Sequence, residues 1–468
     1  MLQLPYKRRF AELILTKNIL MYSLSDNDNL LINTMSGAFD IVDNQTRRKI
    51  ENIGDIQKND INDNYLIDTL RKRGYIYDTI EDEINTINKY RKVNNTITEM
   101  RQKNNFTICP TMGCNLRCTY CFESDELHKD VKIMTQKQIE TILHYIYINI
   151  NKKQPPLISL FGGEPLLKIN YEIVEKILKF AKEQKLMVRI ITNGTTIKFY
   201  EELLLKYYEI IMIQITLDGD KKTHNKRRIR ADGTGSFDEV CNSIEKLIKL
   251  NIKTSIRINV DKENINSIDK LINFIKEKKW NEAKNILTYV APVQDFCISS
   301  DTTFKESELF SQITGKYPYI GEPNSIIQKI VAPVISYLDM FLDLNIKMKP
   351  WKIDYCEATS GKSIIFTPDG NISTCLSMAG KNKYIIGKFN EKEVEFDEYA
   401  TKLWFDRSVF RIPKCKDCKF CFICGGGCPV AAIEVNKDID CPVCSDIEKT
   451  LQVYIDTIKN KILNQCKN

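Results

Sequence analysis

Six short apolar runs recur between residues 105 and 292: FTICP, LISLFGG, MVRIITNG, IQITLDG, TSIRINVD and ILTYVAP. Between them lie helical patterns such as YEIVEKILKFAKEQK and FDEVCNSIEKLIKL. Two strands that run in the same direction need a long crossover, usually a helix, so six βα repeats commit this stretch to a parallel sheet. The fold class is therefore α/β, either an open doubly wound sheet or a partial (β/α)6 barrel of the TIM type. Both place functional residues where strands end. Here the strand ends carry cysteines, a Gly-Gly-Glu and an Asp-Gly.

The flanks read differently. Residues 1–95 form a small α+β unit: LLINTMSGAFDIV alternates like two strands around a Ser-Gly turn, and NQTRRKIENI opens a helix after a capping-type Asn. NYLIDTLRKRGYIYDT is an amphipathic helix running into a short strand, and INTINKYRKVNNTITEMRQKNN a polar connector. The βα core is expected over residues 96–310. A helical bridge is expected over 311–350, including IVAPVISYLDMFLDLNI as a buried amphipathic helix. Residues 351–468 are cysteine-rich, with Gly turns such as IIFTPDGNISTC, and close on the helix SDIEKTLQVYIDTIKNKIL.

A net charge of +7 spread over 468 residues gives no indication of a nucleic-acid partner. No stretch approaches about 18 uncharged apolar residues, so no membrane span is expected, and MLQLPYKRRFAEL lacks the apolar core of a signal peptide. These features suggest the cytoplasm, where sixteen cysteines point to metal rather than to disulfides. Ten of them lie between Cys356 and Cys466 and four between Cys109 and Cys121.

CNLRCTYC follows directly on the first strand. Its three thiols, Cys114, Cys118 and Cys121, are one short of a closed zinc site or an ordinary iron–sulfur cluster. Either another cysteine such as Cys109 completes the set, or one metal position is left for something that is not protein; a structural zinc knuckle is the plain alternative. The CxxxCxxC spacing, with an aromatic (Tyr120) before the last cysteine, resembles the radical S-adenosylmethionine (SAM) enzymes. That resemblance implies that Cys114, Cys118 and Cys121 hold three irons of a catalytic [4Fe–4S] cluster and that SAM chelates the fourth. Reductive cleavage of SAM would then give a 5′-deoxyadenosyl radical that takes hydrogen from the substrate.

FGGEP is similar to the family's GGE motif, which implies that Gly162, Gly163 and Glu164 contact the amino group of SAM. Glycines permit close backbone approach, and a carboxylate suits an ammonium. TLDGDKKTHNKRR resembles the family's stretch after the fourth strand and implies SAM contacts at Thr216, Asp218 and Arg228, with Gly219 and His224 at matching positions. Thr216 stands where the family has Ser, and Asn225 where it has Asp. Asp218 and His224 would equally serve as caps for the next helix.

Cys356, Gly370-x4-Cys375, Cys415-x2-Cys418-x5-Cys424-x3-Cys428 and Cys441 together resemble a SPASM domain, which implies two auxiliary [4Fe–4S] clusters. By that resemblance Cys356, Cys375 and Cys428 ligate the nearer cluster, and Cys415, Cys418, Cys424 and Cys441 the distal one. Cys421 and Cys444 are placed to replace one of these or to complete the nearer set, whose other option is an open site for a substrate thiolate. CxxC pairs also bind zinc. Cys241 reads as an apolar helix residue, Cys297 as buried or facing the barrel mouth, and Cys466 as incidental.

Residues 1–95 resemble the winged-helix recognition module of radical SAM peptide maturases, which adds a leader peptide to a sheet edge. The whole implies an oxidoreductase that installs a thioether crosslink from Cys in a ribosomally made (RiPP) precursor peptide, as in ranthipeptide or sactipeptide maturation. It would use SAM, three [4Fe–4S] clusters and an electron donor such as flavodoxin or ferredoxin. Carbon–carbon crosslinking and anaerobic sulfatase maturation (formylglycine formation) are the enzymatic alternatives; a zinc-stabilised binding protein is the non-enzymatic one.

Overall fold

The computed structural model describes residues 13–53, 61–99, 104–123, 131–295, 301–317, 325–343 and 351–466. The six expected strands form as Asn105–Ile108, Leu157–Leu160, Met187–Thr192, Ile211–Thr216, Thr254–Val260 and Ile286–Pro292. Each pairs in parallel with the next in chain order. A doubly wound sheet reverses its order at a switch point; this one does not, and the core is a partial barrel. The crossover helices bury one stripe each: Tyr171–Glu183 through Ile173, Val174, Ile177, Leu178 and Ala181, and Phe237–Lys249 through Val240, Ile244 and Leu247. Cys241 lies on that second stripe and is buried.

The barrel does not close on itself. Lys329–Ile330 adds in parallel beyond the sixth strand, and Ser363–Phe366 adds in parallel beside the first, with Ile365 opposite Thr107 and Phe366 opposite Ile108. From there the sheet continues antiparallel through Asn371–Ser373, Gly387–Phe389 and Val394–Phe396. One eleven-stranded sheet therefore runs from the barrel into the cysteine-rich region. Its register sets that region against the strand that leads into CNLRCTYC.

Several local readings change. The polar segment after residue 84 belongs to a single helix, Ile80–Glu99, whose first turn carries Glu81, Asp82 and Glu83; acidic groups there complement the helix dipole. Helix Asn44–Glu51 is capped by Asp43, whose carboxylate accepts from the Thr46 N–H at 2.7 Å, and not by Asn44. At the start of the bridge Glu306–Lys316 is helical, but among the described residues of IVAPVISYLDMFLDLNI only Ile335–Phe341 is, and Ile330 belongs to the sheet. Residues 344–350 and Cys297 lie outside the described residues. Among the described residues no helix is long and apolar enough to cross a membrane.

The N-terminal unit is an antiparallel sheet of Ile19–Ser23, Asp28–Asn33 and Phe39–Asp43 with the helices Asn44–Glu51 and Ile61–Lys72. It is seated on the cysteine-rich region. Met35, Tyr77, Ile87 and Tyr90 share one apolar cluster with Ile353, Val409, Ile412 and Phe422. Thr34 Oγ1 donates to the Lys419 carbonyl at 2.9 Å, and Lys17 reaches the Lys416 carbonyl.

Candidate active site

The loop after the first strand leaves Cys114, Cys118 and, most of the three, Cys121 partly exposed. It is held from two sides. Leu116–Cys118 pairs antiparallel with Arg228–Arg230, placing Cys118 opposite Arg228, and the Thr119 N–H donates to the Arg227 carbonyl at 2.9 Å. On the other side the Gly163 N–H donates to the Thr111 carbonyl (3.2 Å) and the Glu164 N–H to the Gly113 carbonyl (2.9 Å). A Cβ on Gly162, whose φ is +116°, would stand 2.3 Å from the Thr111 oxygen. One on Gly163 would stand 2.3 Å from both the Met112 and Gly113 oxygens. The glycine pair therefore fastens the cysteine loop, whatever ligand it also meets. Gly163→Ala is expected to cost roughly 1–3 kcal/mol through overpacking, read as a lower Tm together with lost iron. Gly315→Ala, with nothing within 4 Å, should leave iron content unchanged.

Glu164 is fully buried at the end of the second strand. Its Oε1 accepts from Thr192 Oγ1 (2.7 Å) and the Leu166 N–H (2.9 Å), its Oε2 from the Asn193 N–H (2.7 Å), and burial still pushes its pKa up. A carboxylate has about four acceptor positions, so this one ties the second strand to the third and keeps capacity for a cationic ligand. Asn193, which the sequence did not single out, donates to Asn115 Oδ1 at 2.8 Å and lies 3.8 Å from Cys114 Sγ.

Tyr120 ties the loop to the fourth and fifth strands. Its hydroxyl donates to Asp218 and accepts from Arg228 Nη1 (2.7 Å) and Asn259 Nδ2 (3.1 Å). Arg227, held by both carboxylate oxygens of Asp261 at 2.9 and 2.8 Å, lies 4.8 Å over the Tyr120 ring. Burial raises the pKa of Asp218, against the pull of Arg228. The His224 Nδ1 accepts from the Asp218 N–H at 3.3 Å, and its Nε2 lies 3.0 Å from Ser236 Oγ. Burial first, then Arg228 and Arg227, hold this imidazole well below its usual pKa, so it stays neutral. Neither Asp218 nor His224 is a cap: helix Lys221–Arg227 is capped by Asp220, which accepts from the Thr223 N–H at 3.0 Å. Asn225 accepts from the Phe237 N–H at 2.9 Å, a task its amide oxygen performs without charge. Thr216 is buried at the end of the fourth strand.

A cavity of about 500 Å³ opens on Tyr120, Cys121 and Phe122, with Met378, Lys381 and Glu434 of the cysteine-rich region also lining it. Buried guanidinium nitrogens without a partner, Arg227 Nε and Nη2 and Arg228 Nε, lie beside Tyr120. Burial pushes the thiols of Cys114 and Cys118 up and that of Cys121 up to about 12, so a metal here must displace protons. Residues 108–275, which span this loop, the GGE turn and the Tyr120 network, match the family model of the radical SAM superfamily.

The chain carries a radical SAM domain.

It is thus a SAM-dependent iron–sulfur enzyme, and its residues fit that ligand set: three free cysteines on one loop, a buried carboxylate with acceptor capacity, unpartnered guanidinium N–H groups and an adjoining cavity. Tyr120→Phe is expected to remove a hub shared by three side chains at a cost of about 1–3 kcal/mol. Calorimetry should show this as SAM affinity lowered by about tenfold or more.

Among relatives of this radical SAM enzyme, a cysteine-type anaerobic sulfatase-maturating enzyme of Clostridium novyi is 26% identical over 332 residues, 68% of this chain and 85% of that protein. The solved structure of anSMEcpe with AdoMet and Cp18Cys peptide matches 78% of this chain and 99% of its own, with a TM-score of 0.59 at 19% identity. Streptococcus suis SuiB bound to S-adenosylmethionine matches 92% of this chain and 99% of its own, with a TM-score of 0.56 at 18% identity. SuiB is also solved with its precursor peptide SuiA, with a TM-score of 0.54. At these identities the solved structures bear on the fold alone. The share that SuiB leaves uncovered is too small to omit residues 13–99, so the likeness reaches the N-terminal unit.

In the cysteine-rich region of this radical SAM enzyme the thiols influence one another in two groups. Cys356, Cys375 and Cys428 form the first, where burial and then the neighbouring sulfurs push Cys356 up to about 11 and Cys375 up to about 12. Cys356 is exposed as a residue. Cys428 sits at the N-cap of helix Pro429–Asn436, with no side-chain capping hydrogen bond. In the second group burial, then Cys424, Cys418 and Cys444, push Cys415 up to about 12. Cys444, rather than Cys441, is the sulfur that acts on Cys415 and Cys424; both Cys441 and Cys444 are exposed. Cys421 is buried beside Cys415 and Cys418. Cys109 is fully buried against Met112, Ile365 and Ala379 and belongs to the core. Among the described residues no three His, Cys, Asp or Glu side chains are gathered around one ion position.

Proposed function

We propose that this radical SAM enzyme matures a ribosomally made precursor peptide and installs a thioether between a cysteine sulfur and a peptide carbon. When bound at Cys114, Cys118 and Cys121, the cluster and SAM would supply the hydrogen-abstracting 5′-deoxyadenosyl radical. Glu164, Tyr120, Asp218 and Arg228 would orient SAM at the strand ends, and Met378, Lys381 and Glu434 would confine the peptide in the cavity that meets Cys121.

The observation that carries this reading is the N-terminal unit seated on the cysteine-rich region. Its three-stranded sheet offers edge strands to which a leader peptide can add, and SuiB, whose likeness reaches this unit, has been solved with a precursor peptide. The division into a recognition module (1–95), a radical SAM core (96–310), a bridge (311–350) and a SPASM domain (351–468) follows. Two auxiliary clusters are assigned to the two thiol groups. In the nearer group Cys356, Cys375 and Cys428 act on one another, and three thiols leave a position that a substrate thiolate can take. A ferredoxin or flavodoxin in the cytoplasm would supply the electron.

The second reading is sulfatase maturation, favoured by the 26% identity to the Clostridium novyi enzyme. The test is to incubate reconstituted enzyme, SAM and dithionite with a short cysteine-containing peptide encoded beside the gene. A product two hydrogens lighter, with no alkylatable cysteine and no product once the leader is removed, is expected. Formylglycine formed instead from a sulfatase-derived peptide would replace the thioether reading with the second.

A further inference from the structure

Two buried cations lie between the two cysteine groups. The Lys352 N–H donates to the Phe422 carbonyl at 3.3 Å, and its Cγ would lie 3.0 Å from a Cβ on Gly425, the residue after Cys424. Its ammonium donates to the Pro333 carbonyl at 2.6 Å and lies 5.3 Å over the ring of Tyr355, the residue before Cys356. Arg407, 1% exposed, donates from Nη2 to the Gly426 carbonyl (2.7 Å), from Nη1 to the Gly427 carbonyl (2.9 Å) and from Nε to the Ile439 carbonyl (2.7 Å). Gly426 and Gly427 lie between Cys424, assigned to the distal group, and Cys428, assigned to the nearer one.

Among the described residues neither cation has a carboxylate within ion-pair distance. The acidic groups near Lys352 are Glu306, Asp354 and the thiols of Cys424 and Cys356; those near Arg407 are Asp440 and the thiols of Cys428, Cys356 and Cys415. Glu306 accepts from the Val334 and Ile335 N–H groups, and Asp440 is bound through Oδ2 by Arg411, its buried Oδ1 being without a hydrogen-bond partner. A buried charge without a counter-ion is strongly unfavourable. The thiolates on either side, once they hold iron, are the anions this arrangement lacks.

We propose that Lys352 and Arg407 are the fixed counter-charges of the two auxiliary centres and set the potential at which those centres accept an electron. A neighbouring positive charge favours the reduced form of an iron–sulfur cluster and raises its potential. The two side chains are thus positioning residues for redox chemistry, acting through the cysteines. The inference rests on the assignment of iron–sulfur clusters to the two thiol groups.

The test is a potentiometric titration of the anaerobically reconstituted full chain, followed by electron paramagnetic resonance with and without SAM. Signals that SAM leaves unchanged belong to the auxiliary centres. Lys352→Met and Arg407→Gln are each expected to keep the wild-type iron content. At a fixed poise each should raise the oxidised-to-reduced ratio of an auxiliary signal by about tenfold, equivalent to about 59 mV for one electron. Lys352→Arg should match wild type. Unchanged potentials with iron intact would overturn the inference. If the Met variant loses iron, the Arg variant decides: iron retained at the wild-type potential sustains the role of charge, and iron lost overturns it. A wild-type chain with iron at the first site only overturns the auxiliary-cluster assignment, and this inference with it.

Discussion

Replacing Cys114, Cys118 and Cys121 together by Ala is expected to abolish 5′-deoxyadenosine formation and to lower the iron content from about twelve to about eight per chain. The three thiols stand on a loop fixed by the pairing of Leu116–Cys118 with Arg228–Arg230 and by the glycine turn at Gly162–Gly163. Those backbone contacts do not involve sulfur, so the variant should fold with the remainder of the site intact. A high-performance assay of the nucleoside, with iron measured on the same sample, gives both numbers. Continued SAM cleavage at the wild-type rate would remove these cysteines from the chemistry.

Replacing Cys356, Cys375 and Cys428 by Ala should have a different signature. Peptide product is expected to fall by at least about 100-fold, at or beyond the upper end of effects seen when groups supporting a metal site are removed, while 5′-deoxyadenosine is still formed. The separation follows from where the groups lie. Cys121 lines the cavity, whereas Cys356, Cys375 and Cys428 interact with one another in the region that supplies its far wall. Simultaneous mass spectrometry of peptide and nucleoside distinguishes this uncoupling from general loss of activity. Equal loss of both products would mean that this group supports the fold of the whole site rather than the fate of the peptide.

The six barrel strands were legible because each pairs an apolar run with a crossover helix whose buried stripe repeats at helical spacing, as in Tyr171–Glu183. Their sequential order was left open by the same signal, since periodicity does not say which strand lies beside which. For that reason Ser363–Phe366 was readable as half of a hairpin with Asn371–Ser373 but not as the neighbour of Asn105–Ile108. Leu116–Cys118 and Arg228–Arg230, three residues each and more than a hundred apart in the chain, carry too short a pattern to announce their pairing. The cap of Asn44–Glu51 was misplaced by one residue because Asp43 and Asn44 are both good cap formers. The Ile80–Glu99 helix was missed because its Asn-rich, polar surface has weak intrinsic propensity; the acidic first turn was the available signal.

At the site, cysteine spacing and GGE were readable from the chain, whereas the supporting network was not. Asn193, Asn259 and Arg227 act through contacts between different strands, with Asn193 joined to Asn115 and Asn259 to Tyr120. Nothing in their local sequence distinguishes them from ordinary loop or strand residues. The same holds for Arg407, whose three carbonyl partners come from two separate segments.

The measurement that tests the account most directly is a count of iron, sulfide and zinc on the anaerobically purified and reconstituted chain, with 5′-deoxyadenosine formation assayed under dithionite. The account predicts about twelve irons and matching sulfide from three four-iron clusters, no zinc, and SAM cleavage. About four irons together with zinc would contradict it: the cysteine-rich region would then be a structural zinc unit, and the peptide thiolate would have no iron to meet.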